Sequence, residues 1–336
     1  MKRMARFVVP CVLVVLLALT AFPSLGVCAD KPETELMLLG GRVGDPWYAI
    51  SQGLASFVNR GSSWLRLDVV AAPGVDSGPE IAKEKPDKYL YIMSDLALKY
   101  MPKMKKYNYY DKMRFIGLSA TTTEIWVTYD KDIRKAEDLV GKRVFIGRPG
   151  GLRVLEEKAI LEALGLIDKI KLSQGGFGGG LTALKDGLAD VAIMLLDHVY
   201  PTSYKKSSLI QELETKKPIY YPNIMPKEFQ EKLGLIPGRV PPGTLDPKTQ
   251  PEEVWATVLP IYFAADVRMS EDVVYETTRI LYENAGKFTQ WHAQGESLTK
   301  EYIPVYVYDK QWVHPGAMKY YNENNIEVRD LSKLLH

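Results

Sequence analysis

Cysteine is nearly absent from this chain. Its 336 residues hold two, Cys11 and Cys28, and both lie in the first 29. A protein released from that segment carries no thiol, so it forms no disulfide and offers no cysteine nucleophile or metal ligand. Histidine is scarce too: His198, His292, His314 and His336 are scattered without metal-ligand spacing. Neither a Gly-Lys-Ser/Thr phosphate loop nor the Gly-x-Ser-x-Gly elbow of hydrolases occurs. No matched acid and base stands out, so no catalytic residue, cofactor or metal is expected. Beyond residues 7–20 no run is long and apolar enough to cross a bilayer, which takes about 20 residues. An excess of one charge is also missing. Without residues 1–29 the balance of Lys and Arg against Asp and Glu is −1. That excludes a general pull toward nucleic acid or anionic lipid, so a charged ligand must be recognised locally.

What is present begins with a leader. Lys2, Arg3 and Arg6 form a positive head, Phe7 to Thr20 is apolar, and Val27-Cys28-Ala29 offers small residues for cleavage. This three-part pattern predicts a signal peptide over 1–29 and a periplasmic protein. A transmembrane anchor is the alternative, against which stands the short apolar run. A lipid anchor on Cys28 is another, because Leu25-Gly26-Val27-Cys28 loosely fits a lipobox. About 307 residues then remain, enough for two lobes.

Short apolar strands alternate with helical patterns. Strands are predicted over 36–39, 65–70, 89–93, 115–118, 125–129, 144–146 and 191–195. A helix opens at Pro46 and closes at Gly61; others cover 136–140, 154–164, 181–185, about 227–233, and from a Ser270 cap to about Lys287. Gln174 to Gly180 reads as a glycine-rich loop, proline-rich 200–253 as mostly loop, and 254–264 as extended. The alternation predicts parallel sheets. Ser94-Asp95 looks like a helix cap, His314 before Pro315 like a capping or packing residue, and Glu156-Glu157 like a solvated pair opening a helix.

Strand ends meet glycines at Gly40-Gly41 and at Gly147 with Pro149-Gly150-Gly151, and a hydroxyl at Ser94. In a parallel sheet such ends share one edge, where ligands settle. The helices that follow aim free amides there, and glycine lets the backbone come close. A cleft suited to an anion follows. Glycines after strands are also ordinary turn residues, so two turns in separate halves carry more weight than either.

In order, these segments resemble the TAXI solute receptors, the extracytoplasmic subunits of one class of TRAP transporter. The likeness runs from about Leu36 to Glu323. It rests on the first turn with Trp47-Tyr48, on Ser94-Asp95-Leu96-Ala97, and on Asp138-Leu139-Val140-Gly141-Lys142-Arg143-Val144. Gly147-Arg148-Pro149-Gly150, Ile160-Leu161-Glu162-Ala163, Leu184-Lys185-Asp186-Gly187, Glu271-Asp272-Val273-Val274-Tyr275 and His314-Pro315-Gly316-Ala317 follow. The resemblance implies an α/β, type II periplasmic-binding-protein fold with a ligand cleft between two lobes. It implies a small carboxylate or dicarboxylate ligand, delivered to an ion-driven TRAP permease. The family's threonine among the first glycines is replaced here by Arg42, Val43 and Asp45, and its Pro-Gly-Ser-Gly-Thr by Pro149-Gly150-Gly151-Leu152-Arg153. Hydroxyls have given way to arginine, whose fork grips a carboxylate with two hydrogen bonds.

The expected protein is therefore a monomeric receptor that closes on an organic anion, with lobe 1 over 30–124 plus 266–336 and lobe 2 over 125–265. Gly40, Gly41, Gly150 and Gly151 would offer amides, Arg42 and Arg153 charge, Trp47 and Tyr48 an apolar cover, and Ser94 a hydroxyl. Asp197 would meet an ammonium group or orient an arginine. An exported enzyme, a sensor module and an adhesion protein are the alternatives.

Overall fold

In a computed structural model, residues 31–101, 110–149, 151–199, 203–306 and 310–331 are described. The expected leader, Cys28 and Gly150 lie outside them. Thr34–His336 forms one compact unit.

The chain opens with strand β1 (Thr34–Leu39), helix α1 (Pro46–Gly61) and strand β2 (Leu65–Val70). Pro46 starts α1 because its fixed φ suits a first turn and it has no amide to leave unpaired. Ile50, Leu54, Phe57 and Val58 recur at helical spacing and face the sheet. After a short turn at Val75–Ser77 come α2 (Gly78–Ala82), β3 (Tyr89–Ser94) and α3 (Leu96–Tyr100). The parallel trio β2-β1-β3 is the first half of the sheet.

Next is β4 (Met113–Thr128), a single strand where the sequence predicts two. The apparent break is its polar centre, Thr121-Thr122-Thr123-Glu124. β-Branched threonines continue a strand, and only the hydropathy pattern is interrupted. The second half follows with β5 (Arg143–Ile146), α4 (Leu152–Ala163), β6 (Lys171–Gln174), α5 (Phe177–Lys185), β7 (Val191–Val199) and β8 (Ser203–Lys206). The predicted loop 174–180 is in part helix, because α5 starts at Phe177. Its glycines leave room for the Phe145 ring, which a Cβ on Gly180 would approach to 3.1 Å. The predicted loop 200–253 also holds α6 (Ser208–Glu214), α7 (Lys227–Lys232) and β9 (Ile236–Val240). Ser207 caps α6 by accepting the Ile210 amide. The remaining elements are β10 (Val254–Asp266), α8 (Glu271–Glu283), β11 (Val305–Tyr306), α9 (Pro315–Glu323) and β12 (Arg329–Asp330).

The sheet runs β2-β1-β3-β10-β4-β7-β5-β6, with β8 beside β7 and β9 beside β10. It is mixed rather than parallel. The long strands β10 and β4 pair antiparallel to each other in the middle, and join the parallel trio β2-β1-β3 to the parallel set β7-β5-β6. One apolar core takes Met113 to Ala120 of β4 and Val258 to Ala265 of β10. Two others take Ile125 to Val127 and Val254 to Ala256. The polar run of β4 lies between them, paired with Thr257 to Pro260.

The first core is stapled by aromatics. Phe115 stacks on Tyr262 at 4.2 Å, and Tyr262 on Tyr306 at 5.7 Å. Tyr306 and Tyr321 both donate to the Ile116 carbonyl, at 2.7 and 3.0 Å. His314 caps α9 by accepting the Gly316 amide at Nδ1, and burial lowers its pKa to about 4. At Gly316 a Cβ would overlap the Glu271 carbonyl and stand 3.0 Å from the Tyr275 amide, both backbone atoms of α8. Neither can yield as a side chain would. Gly316→Ala is expected to cost about 1–3 kcal/mol, read from urea denaturation. An unchanged midpoint would show that the helices separate freely.

Candidate functional site

The seam marked by the polar run of β4 gathers ionisable side chains from several elements. β3 ends on Ser94, whose backbone amide and hydroxyl both donate to Asp76, at 2.7 and 2.9 Å. Asp76 comes from the turn that follows β2. Asp95 is next, 5 % exposed, and its Oδ1 has no hydrogen-bond partner. It occupies the cap position of α3, yet its side chain makes no capping bond. Lys99 of α3 reaches Glu156 of α4 at 2.9 Å, and the Tyr100 hydroxyl joins the same carboxylate.

On the other side, Arg153 Nε lies 2.5 Å from Glu124 Oε1 of β4. Its guanidinium also covers the Phe177 ring at 4.6 Å. The Gly147 amide, at the end of β5, donates to Glu157 Oε2 at 2.6 Å, while Glu157 Oε1 is buried without a partner. Glu156 and Glu157 are 3 % and 1 % exposed. They are not the solvated pair that the sequence suggests. They occupy the buried stripe of α4, with Leu152, Val154, Ile160 and Leu161.

Burial governs the protonation of this group, because a desolvated carboxylate is disfavoured. It pushes Asp76 up to about 6, against the pull of Ser94 and Arg153. It raises Asp95 well above the usual range, and the Glu156 charge adds to this. It raises Glu156 too, opposed by Lys99. Glu124 is raised to about 7 by burial against the Arg153 charge, and Glu157 to about 8 by burial and the Glu124 charge. The last two lie in each other's field, so they titrate as a pair.

The sequence-derived candidates divide. Ser94 and Arg153 meet in this seam. Gly151 is exposed at the start of α4, with its amide on the Arg148 carbonyl. The Gly40 amide is taken by Val70, and the Gly41 carbonyl accepts from Ala72. Gly41 has φ +84°, and a Cβ there would stand 2.9 Å from the Trp47 ring. Trp47 is half-buried and donates to Asp45, and Tyr48 is half-buried beside it. Ser51, fully buried near Gly40, has an unpartnered hydroxyl. Arg42 is exposed, close to Gly74. Asp197, on β7, accepts from Gln294 at 3.4 Å. Sequence reasoning missed Asp76, Asp95, Glu124, Glu156 and Glu157 as site residues. The visible signals were a polar tetrad inside a strand and two acids at core spacing along α4.

Chemically, the seam is a set of carboxylate-binding positions already holding carboxylates. The Gly147 amide, the Ser94 amide and hydroxyl, and the Arg153 guanidinium each engage one. Among the described residues no group of His, Cys, Asp or Glu side chains fits a metal ion. Two surface depressions of about 450 and 550 Å³ lie elsewhere, one beside Glu35 and Tyr89, the other beside Tyr129 and Arg143. Neither contains residues of the seam.

Comparison with solved structures finds similar chains. The periplasmic sulfonate-binding protein SsuA from Methylobacillus flagellatus KT is similar at 14 % identity and a TM-score of 0.51, over 88 % of this chain and 96 % of that one. The periplasmic binding protein BugD is 16 % identical with a TM-score of 0.47, over 89 % and 100 %. A TctC solute-binding protein from Polaromonas is 14 % identical with a TM-score of 0.47, over 80 % and 88 %. The fold is the two-lobed α/β fold of periplasmic binding proteins. Residues 39–324 match a single family over most of the chain, and the protein belongs to the NMT1-like family.

Proposed function

We propose that the protein is an extracytoplasmic solute receptor that captures a small organic acid by lobe closure and delivers it to a TRAP-type permease. The lobes are residues 30–124 with 266–336, and residues 125–265. One observation carries the reading: donors from β3, β5 and α4 converge on carboxylates at the seam of β4. Family membership and a binding-protein fold support it. A ligand carboxylate would compete for the same donors. Lys99–Glu156 and Asp197–Gln294 span the two lobes, so closure has contacts of its own that a ligand can reinforce. Trp47 and Tyr48 would cover the apolar part of the ligand, with Arg42 at the rim. Among the described residues no helix is long and apolar enough to cross a membrane.

The test is a thermal-shift screen with mono- and dicarboxylates, beside a mass spectrum of whatever copurifies. An acid at 100 times its Kd adds about 2.7 kcal/mol of stability, and transport by a reconstituted TRAP permease should require the loaded receptor. A screen with no shift from any acid would remove the reading. An enzyme on the same fold is the second reading, favoured by carboxyls raised to between about 6 and 8, since such groups suit acid–base work. Turnover of a bound acid would decide for it.

A further inference from the structure

At the seam the carboxyls outnumber the cations. Asp76 comes from the turn after β2, Asp95 from the end of β3, Glu124 from β4, and Glu156 with Glu157 from α4. Lys99 of α3 and Arg153 of α4 face them, with the Tyr100 hydroxyl on Glu156. An organic acid entering here adds negative charge to an existing excess, in a place where water screens little. Three carboxyl oxygens, Asp95 Oδ1, Glu124 Oε1 and Glu157 Oε1, have no hydrogen-bond partner although their residues are only 5 %, 5 % and 1 % exposed; Glu124 Oε1 keeps its ion-pair contact with Arg153. A bare buried carboxylate oxygen is costly unless a proton or a donor satisfies it. Glu157 and Glu124, moreover, already sit on the Gly147 amide and on Arg153, the donors that a ligand carboxylate needs.

We propose, on the reading that the cleft takes an organic acid, that this receptor binds its ligand together with protons. The ligand carboxylate takes over the Gly147 amide and the Arg153 guanidinium. Glu157 and Glu124 are displaced from these donors but stay in the closed seam, and each is held there as the neutral acid. The protons come from solvent, and no bond of the ligand changes. In the free receptor the two groups titrate between about 7 and 8, and a bound anion moves both higher. Uptake is therefore greatest above that range. The share of Glu124 and Glu157 vanishes below about pH 6, where both already carry protons. The affinity for the ionised ligand is flat in acid and weakens as pH rises.

The experiment is isothermal titration with a fixed panel of acetate, succinate, glutarate and glutamate, in buffers of differing ionisation enthalpy. At pH 8 the panel acid that binds should bring about one proton or more per ligand; at pH 5.5 Glu124 and Glu157 should add none beyond what Asp76 and the ligand's own carboxyls exchange. Its Kd should rise about tenfold per pH unit per proton above pH 8. The variant E124Q/E157Q, which carries neutral amides at both positions, should exchange almost no protons on binding. Binding at pH 8 with no proton exchange overturns the inference and leaves the organic-acid reading standing. Proton release at pH 8 instead of uptake likewise overturns the inference and leaves the organic-acid reading standing. Absence of binding by every panel acid at both pH values overturns the organic-acid reading, and the inference with it.

Discussion

Glu157→Gln should raise the melting temperature at pH 8 by several degrees and leave it nearly unchanged at pH 5. Glu157 is 1 % exposed, and burial with the Glu124 charge lifts its carboxyl to about 8. In the unfolded chain the same group ionises near its ordinary value of 4.5. Between those two values the native state holds a proton that the unfolded state has released. Stability then falls as pH rises through the window, opposite in sign to a salt-bridged acid. Glu124, lifted to about 7, adds to the slope. Both groups are raised in the folded chain, so the two contributions act in the same direction and add. Gln is the isostere of the neutral acid and keeps an oxygen for the Gly147 amide. Melting curves from pH 5 to 9 check this. A wild-type profile that rises toward pH 8, or a variant that melts lower there, would contradict it.

Arg153→Ala carries the second large effect. The guanidinium is the cation nearest Glu124, which is 5 % exposed on the middle strand. Breaking a buried pair by removing one partner typically costs about 3–5 kcal/mol, because a charge is left uncompensated. Glu124 can escape by protonation, so the loss should be large at pH 8 and small at pH 5. Adding Glu124→Gln to Arg153→Ala should restore stability at pH 8, since the orphan charge is then gone. Affinity for an organic acid should not return, because the ligand has lost its guanidinium. Urea denaturation and calorimetry on the two variants separate these outcomes. Affinity that survives Arg153→Ala would remove this residue from the site.

The fold was legible in the sequence where hydropathy and backbone preference agree. Leu65 to Val70 alternates and is flanked by turn residues, and the strand found has the same limits. His314 before Pro315 read as a cap and is one. Reading failed where a polar residue is buried for a purpose. Thr121 to Glu124 broke one strand into two on paper, although threonine suits a strand and the neighbouring β10 pairs with the run throughout. Phe177 to Gly180 read as loop because glycine is a poor helix former, while the Phe145 ring needs the space. From 200 to 253, short elements are bounded by prolines, and α6 depends on its Ser207 cap more than on periodicity. At the site, Arg153 was visible as a charge beside a glycine turn. Its carboxylate partner was not, since Glu124 lies far away in sequence and meets it only when β4 packs beside α4. Glu156 and Glu157 were visible as acids, but their burial depends on the packing of α3 against α4.

On the proposed reading, carboxylates of the chain itself stand where a ligand carboxylate would bind, at the seam between β4, β5 and α4. A crystal structure of the protein with its copurifying acid puts this to the test. It should show a ligand carboxylate on the Gly147 amide and the Arg153 guanidinium, with the Glu157 side chain moved off that amide. A ligand bound elsewhere, with Glu157 still on Gly147 and Glu124 still on Arg153, would contradict the proposal.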